Sequence, residues 1–252
     1  MMARRSMENG NITPHRKKGR RSRQVWACLV CTILVVLPRI DSFGQPIEPE
    51  KPAIFVQSEL IRGDEKRDDA FVRGAASKYP SREAGSRALS GQGWALLRAG
   101  KQDLAVENFY RAWLLHPENY QVYWGSGAIL AQRGKLLDAI EQLDTARELI
   151  DDPKETAALL LDAAIINSTY AAGLPRDRQL ERARYFVKAN QCFTESLEND
   201  PGHAASWRAW ALSLYEQERY SEAAIKAARA QELNAEPFPS DFLRDLKNKV
   251  AE

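Results

Sequence analysis

The stretch that decides the fold is AVENFYRAWLLHP, Ala105 to Pro117. It sets a small residue at Ala105, an aromatic one at Phe109, a small one at Ala112 and a proline at Pro117. Residues at i, i+4 and i+7 share one helix face, so the spacing predicts a stripe along a helix. Small residues on that stripe let a neighbouring helix approach closely. The proline ends the helix, because it lacks an N–H and disfavours the helical region for its predecessor. The same ladder returns at Ala139, Leu143, Ala146 and Pro153, then at Ala189, Phe193, Ser196 and Pro201, then at Ala223, Ala227, Ala230 and Pro237. The leading alanines are 34, 50 and 34 residues apart. A period of this size predicts a stacked array, not one globular core.

A second helix precedes each ladder. It carries Leu89, Gly93 and Leu96 before Gly100, then Tyr123, Gly127 and Leu130 before Gly134, and finally Trp207, Ala211 and Leu214. Gly100 and Gly134 suit the left-handed residue that closes a helix. This set resembles the tetratricopeptide repeat, a helix-turn-helix unit of 34 residues, over roughly Ser86 to Pro237. The resemblance implies an all-α solenoid of antiparallel helix pairs, with four repeats at 86–119, 120–153, 154–203 and 204–237. The third repeat is 16 residues too long. Its first helix is expected from about Lys154 to Ala172, entered through Asp152-Pro153 and stopped by Gly173, Leu174 and Pro175. Asp177 is the candidate N-cap of a long second helix reaching Glu198. Arg176, Asp177, Arg178, Glu181, Arg182 and Arg184 line this extension, either as a solvated helix end or as a docking lobe.

The array needs ends. Residues 240–252 read as a capping helix with Leu243, Leu246 and Val250 inward and Lys247, Lys249 and Glu252 outward. Before the repeats, Asp64 to Ser77 reads as a helix with Phe71, Val72, Ala75 and Ala76 on its apolar side. Tyr79-Pro80 stops it within a connection spanning 64–85, and Ser81 is a candidate N-cap. Residues 45–63 read as an extended linker.

Residues 4–23 hold eight basic side chains and one acidic one, followed by a thirteen-residue apolar run from Val25 to Leu37. At 1.5 Å per residue the run is about 20 Å long, short of the roughly 30 Å hydrocarbon core. A basic flank before a short apolar run is the layout of a secretory signal peptide over 1–44, cut near Gly44 to leave Gln45 first. An uncleaved signal anchor in the inner membrane is the alternative. Both place the repeats outside the cytoplasm, in the periplasm or beyond it, with membrane contact only through the N-terminal segment. The whole chain has 36 basic and 34 acidic residues, but beyond residue 44 it has 27 and 32. The basic balance therefore belongs to the targeting segment. No basic stripe of a nucleic-acid binder remains.

No catalytic or cofactor constellation is present. His116 and His203 sit beside inter-repeat prolines and His15 lies in the targeting segment, without spaced carboxylates or cysteines to complete a metal site. Cys28 and Cys31 lie inside the apolar run, and Cys192 reads as a buried small apolar residue in the third ladder. No cofactor is expected, and no enzyme activity.

In the resembled family the first helices line a concave groove. The resemblance places Arg87, Ser90, Gly91, Trp94, Leu97 and Arg98 there from the first repeat. From the second it places Gln121, Trp124, Gly125, Ala128, Ala131 and Gln132, and from the third Leu160, Ala164 and Asn167. The fourth contributes Arg208, Leu212, Tyr215 and Glu216. Arg87, Trp94, Arg98, Gln121, Trp124, Arg208 and Tyr215 are the candidate partner-binding residues, with aromatic surfaces for contact and arginines for acidic or carbonyl groups. Ser90, Trp94, Gly125, Ala157 and Leu161 stand where the family's carboxylate clamp would need lysine, arginine or asparagine, so that clamp is absent. Two functions follow: a non-catalytic adaptor binding a peptide or partner protein in the cell envelope, or a structural, self-associating scaffold. In the second, the aromatics pack against the N-terminal segment Gln45–Arg62 or the C-terminal helix.

Overall fold

The computed structural model describes residues 51, 52, 54, 55 and 65–251. The predicted targeting segment, its cleavage point, Cys28, Cys31, Asp64, Glu252 and most of the linker lie outside them. Among the described residues the chain is all helix: α1 Glu65–Lys78, α2 Arg82–Arg98, α3 Gln102–Leu115, α4 Tyr120–Gln132, α5 Leu136–Leu149, α6 Pro153–Gly173, α7 Gln179–Asn199, α8 Ala204–Glu216, α9 Tyr220–Glu232 and α10 Phe242–Ala251. Helices α2 to α9 pair as α2/α3, α4/α5, α6/α7 and α8/α9, an all-α solenoid of antiparallel hairpins.

The ladders make the pairs. Ala105, Phe109, Ala112, Ala139, Leu143, Ala146, Ala189, Phe193, Ser196, Ala223, Ala227 and Ala230 are all buried. The turns within three pairs use one device. Gly100 and Gly134 close α2 and α4 at φ 72 and 74, and Lys101 and Lys135 donate their N–H back to Leu96 and Leu130. Glu218 takes the same role after α8 at φ 59, with Arg219 donating to Leu214. A side chain in that region costs about 1–2 kcal/mol more than glycine.

Helix starts are set by short polar side chains. Ser81 Oγ accepts from Ala84 N, Asn119 Oδ1 from Gln121 N, and Asp152 Oδ1 from Lys154 N. The residue before α7 is Arg178, with no side-chain cap, so the expected cap at Asp177 is not used. Asn119 also ties the first pair to the second, donating to Ser86 Oγ at 2.8 Å and Ser90 Oγ at 2.9 Å.

The 16 extra residues of the third repeat lie in its hairpin end. Helices α6 and α7 are each 21 residues long, against 13 for α8 and α9. The register of α6 stays in step with α4 at 34 residues, so the insertion lengthens the tips and leaves the stack intact.

Successive first helices (α2, α4, α6, α8) touch one another in turn, while successive second helices meet far less. The array therefore bends toward the first helices, which line its inner face. Both ends are closed differently from expectation. In α10, Phe242 and Leu246 are buried, while Leu243 and Val250 are 38% and 46% exposed. The helix starts at Phe242, which turns Phe242 and Leu246, four apart, onto α8 and α9 and rotates Leu243 and Val250 to the edge. At the other end Ala75 is buried, Phe71 and Val72 are half-buried, and Ala76 faces solvent.

Candidate functional site

The inner face is built on α2, α4, α6 and α8. A row of rings crosses its first half. Phe109 of α3 sits beneath, Trp94 meets it edge-on at 5.7 Å, and Trp124 meets Trp94 edge-on at 5.3 Å. Both tryptophans are half-buried. The Trp124 indole N–H donates to Asp162 Oδ2 at 2.8 Å, which extends the row onto α6. Burial raises the Asp162 carboxyl above its ordinary value, while the indole hydrogen bond and His203 oppose that shift.

Beside the rings lies a polar cluster. Glu155 Oε2 accepts from Gln121 Nε2 at 3.0 Å and from the Tyr120 hydroxyl at 2.7 Å. Burial, and then the Glu155 carboxylate, push the Tyr120 phenol well above the usual tyrosine range. Arg87 and Arg98 on α2 are exposed at the start of the face.

At the far end the face is already covered. The chain between α9 and α10 folds back as a strap. Arg208 donates through Nε and Nη2 to the Pro237 carbonyl at 3.2 and 3.0 Å, and its guanidinium lies over Phe238 at 5.6 Å. Phe238 stacks on Phe242 at 4.8 Å, and Phe242 packs on Tyr215 at 5.3 Å. Of the seven sequence candidates, Arg208 and Tyr215 thus engage the chain's own C-terminal segment. Trp94 and Trp124 engage each other, Phe109 and Asp162. Among the described residues, neither tryptophan makes a ring contact with Phe55 of the linker. Phe55 instead packs on the other side of the first pair, 5.3 Å from Tyr110 and 6.4 Å from Trp113, with Lys51 Nζ 4.7 Å above the Tyr110 ring.

Several wider groove positions are not on the surface. Ser90, Leu97 and Gly125 are buried, the last against the Phe109 ring. Leu160, Ala164 and Asn167 are buried too, at 5%, 0% and 1% exposure. The three expected positions lie only one or two residues off the step set by the second repeat. A strict 34-residue step from Gln121 and Ala128 lands on Glu155 and Asp162, the residues that α6 does present. The lengthened repeat hid that step, because a late insertion and an early one look alike when only the second helices are aligned.

The rest of the chemistry is structural. Cys192 is buried, and burial pushes its thiol up to about 11. His203 Nδ1 lies 2.7 Å from Ser206 Oγ. Among the described residues no group of three or more His, Cys, Asp or Glu could hold a metal ion. A cavity of about 540 Å³ lies off the inner face among α5, α6 and α7, beside Arg147, Leu160 and Glu195.

No family model matches the chain. No curated protein matches it either. Among solved structures, the crystal structure of MamA is similar over 69% of this chain and 94% of that one, with 16% identity and a TM-score of 0.48. At that distance the likeness bears on neither site nor function. The chain's own helix pairing makes it an all-α, tetratricopeptide-like solenoid with a half-open inner face.

Proposed function

We propose that this protein is a non-catalytic interaction scaffold of the cell envelope that holds a peptide or protein segment against the first three repeats. The observation that carries this reading is the row Trp94, Trp124 and Asp162. Flat rings lose little entropy on contact and present large areas. Here they are carried on rigid helices, with Arg87, Arg98 and Gln121 beside them. Arg208 and Tyr215 drop out of the binding set, because the Pro237 strap lies on them. Export rests on the basic and apolar pattern of residues 4–37.

A second reading has its own observation. Trp94 leans on Phe109 and Trp124 bonds to Asp162, so both tryptophans also join repeats. In that reading the protein is a structural or self-associating scaffold. Substitutions on the inner face separate the two. Arg87→Glu with Arg98→Glu, and Trp124→Phe, leave the core rings in place. Loss of partner co-purification in the arginine pair at unchanged melting temperature, and in a Trp124→Phe variant that is still folded, supports the adaptor. Full retention of partners by the arginine pair and by Trp124→Phe supports the scaffold.

A further inference from the structure

The third repeat builds a projecting hairpin. The tips of α6 and α7 are braced: the Tyr170 and Tyr185 rings meet edge-on at 4.6 Å, and the Tyr170 hydroxyl donates to Glu181 at 2.9 Å. Leu174 is buried at the turn, and the Arg182 guanidinium lies 5.7 Å from the Phe186 ring. A braced helix end presents side chains in fixed positions.

What it presents is unusual for this chain. Leu180 is 90% exposed and Val187, two turns on, is 65% exposed. Ala183 lies exposed between them, so the three form one stripe along α7. Arg176, Arg178, Arg182 and Arg184 surround it, against Asp177 and Glu181. Glu181 is taken by Arg178 at 3.0 Å. Arg176, Arg182 and Arg184 have no carboxylate partner among the described residues, as is also true of Arg82, Arg87, Arg98 and Arg208, but only here do three such arginines border an exposed apolar stripe. A single exposed leucine needs no explanation. An apolar stripe bordered by cations that lack a carboxylate, two of them resting on rings of their own helix, is a complementary surface with one side missing. Beside it lies a cleft of about 460 Å³, lined on one side by Phe186 and Val187 with Arg176 and Arg182, and on the other by the α8–α9 turn with Glu216 and Glu218.

We propose that α7 docks an acidic amphipathic helix of a partner protein. Its aliphatic side chains lie along Leu180, Ala183 and Val187, and its flanking Asp or Glu residues pair with Arg176, Arg182 and Arg184. Shape favours a helix over an anionic membrane. The stripe runs along the side of α7, while a bilayer meeting the tip would also meet Asp177. Helix-on-helix packing matches a linear stripe two turns long. This surface is separate from the inner face.

The test uses the full chain and a dye-labelled synthetic helix of about 18 residues, with leucines at i, i+3 and i+7 flanked by glutamates. A second peptide carries lysines in place of the glutamates. Fluorescence polarisation is expected to show binding of the acidic peptide that weakens with added salt. The lysine peptide, Leu180→Gln with Val187→Thr, and Arg176→Glu with Arg184→Glu should each weaken binding by about tenfold or more, which is about 1.4 kcal/mol. Arg87→Glu with Arg98→Glu should change nothing, which keeps the outcome independent of the inner-face reading. These side chains are exposed, so melting temperatures should hold. Should the Leu180 pair fail to fold, the arginine pair and the two peptides decide alone. Absence of acidic-peptide binding overturns the proposal, as does equal binding by all variants. It is also overturned if the Leu180 pair instead abolishes co-sedimentation with equimolar phosphatidylglycerol and phosphatidylcholine vesicles, or converts a dimer to a monomer.

Discussion

Adding one methyl group at Gly125 should unfold the array at lower temperature, although helix propensity favours the change. Gly125 lies on α4 directly over the Phe109 ring. A Cβ there would stand 2.2 Å from Cζ, 2.5 Å from Cε2 and 2.6 Å from Cε1. The ring has nowhere to go. On its other side a Cβ at Gly93 would already lie 2.9 Å away, and Trp94 closes the edge at 5.7 Å. Phe109 therefore fills a slot between two glycines on neighbouring repeats. Glycine to alanine in a helix interior ordinarily stabilises by about 1 kcal/mol. Overpacking a filled core costs about 1–3 kcal/mol, and contacts this short call for the upper end. The net loss should be about 1–2 kcal/mol, or roughly 2–8 °C at about 2–4 °C per kcal/mol for a domain of this size. Gly91→Ala is the internal control. Its Cβ meets nothing within 4 Å, so only the propensity gain applies, and its melting temperature should rise. Thermal melts followed by far-UV circular dichroism compare the two. Adding Phe109→Leu to Gly125→Ala should recover part of the loss, a coupling that a double-mutant cycle measures. A Gly125→Ala variant as stable as Gly91→Ala, or one without coupling to Phe109, refutes the slot.

Glu218→Gly should raise stability by about 1 kcal/mol, read as a shift in the urea midpoint, because Glu218 holds φ 59 where the first two repeats use glycine. Trp124→Phe keeps a ring beside Trp94 but removes the donor to Asp162; a loss of about 1–2 kcal/mol is expected in urea titration, and no loss would mean that the 2.8 Å bond contributes nothing. Alkaline pH should destabilise the fold. Burial raises the Cys192 thiol to about 11 and the Tyr123 phenol to about 12, and burial with carboxylate partners raises Tyr110 and Tyr120 further. An acid raised on folding keeps its proton longer in the native state, so the unfolded chain ionises first. Stability is full below the unfolded pKa values and falls as pH climbs from about 9 toward the folded ones. A melting temperature flat between neutral pH and pH 11 would contradict this.

The stack was legible in the sequence because its signals are local and repeated. Each ladder needs only small and apolar residues at helical spacing, and each turn needs only a residue that accepts positive φ. The inner face was partly legible. Its first two repeats keep the 34-residue step, so Trp94 and Trp124 fall where counting puts them. Asp162 and Glu155 were missed because the insertion in the third repeat broke the count between ladders, while the first helix had not yet shifted. Leu243 and Val250 were misplaced for a related reason. A short terminal helix has two apolar edges, and its start at Phe242 chooses between them.

Sequence alone determined that this chain forms helix pairs at a fixed period, where each pair ends, and that one repeat is longer than the rest. Those features follow from spacing, proline and glycine within a few residues of each other. Tertiary structure decided which candidates remain available. It spent Arg208 and Tyr215 on the Pro237 strap, buried Gly125 against Phe109, tied Trp124 to Asp162 and left Leu180 and Val187 bare on α7. The contacts among these join residues 16 to 38 positions apart, and helical periodicity carries no information about what lies across the next repeat.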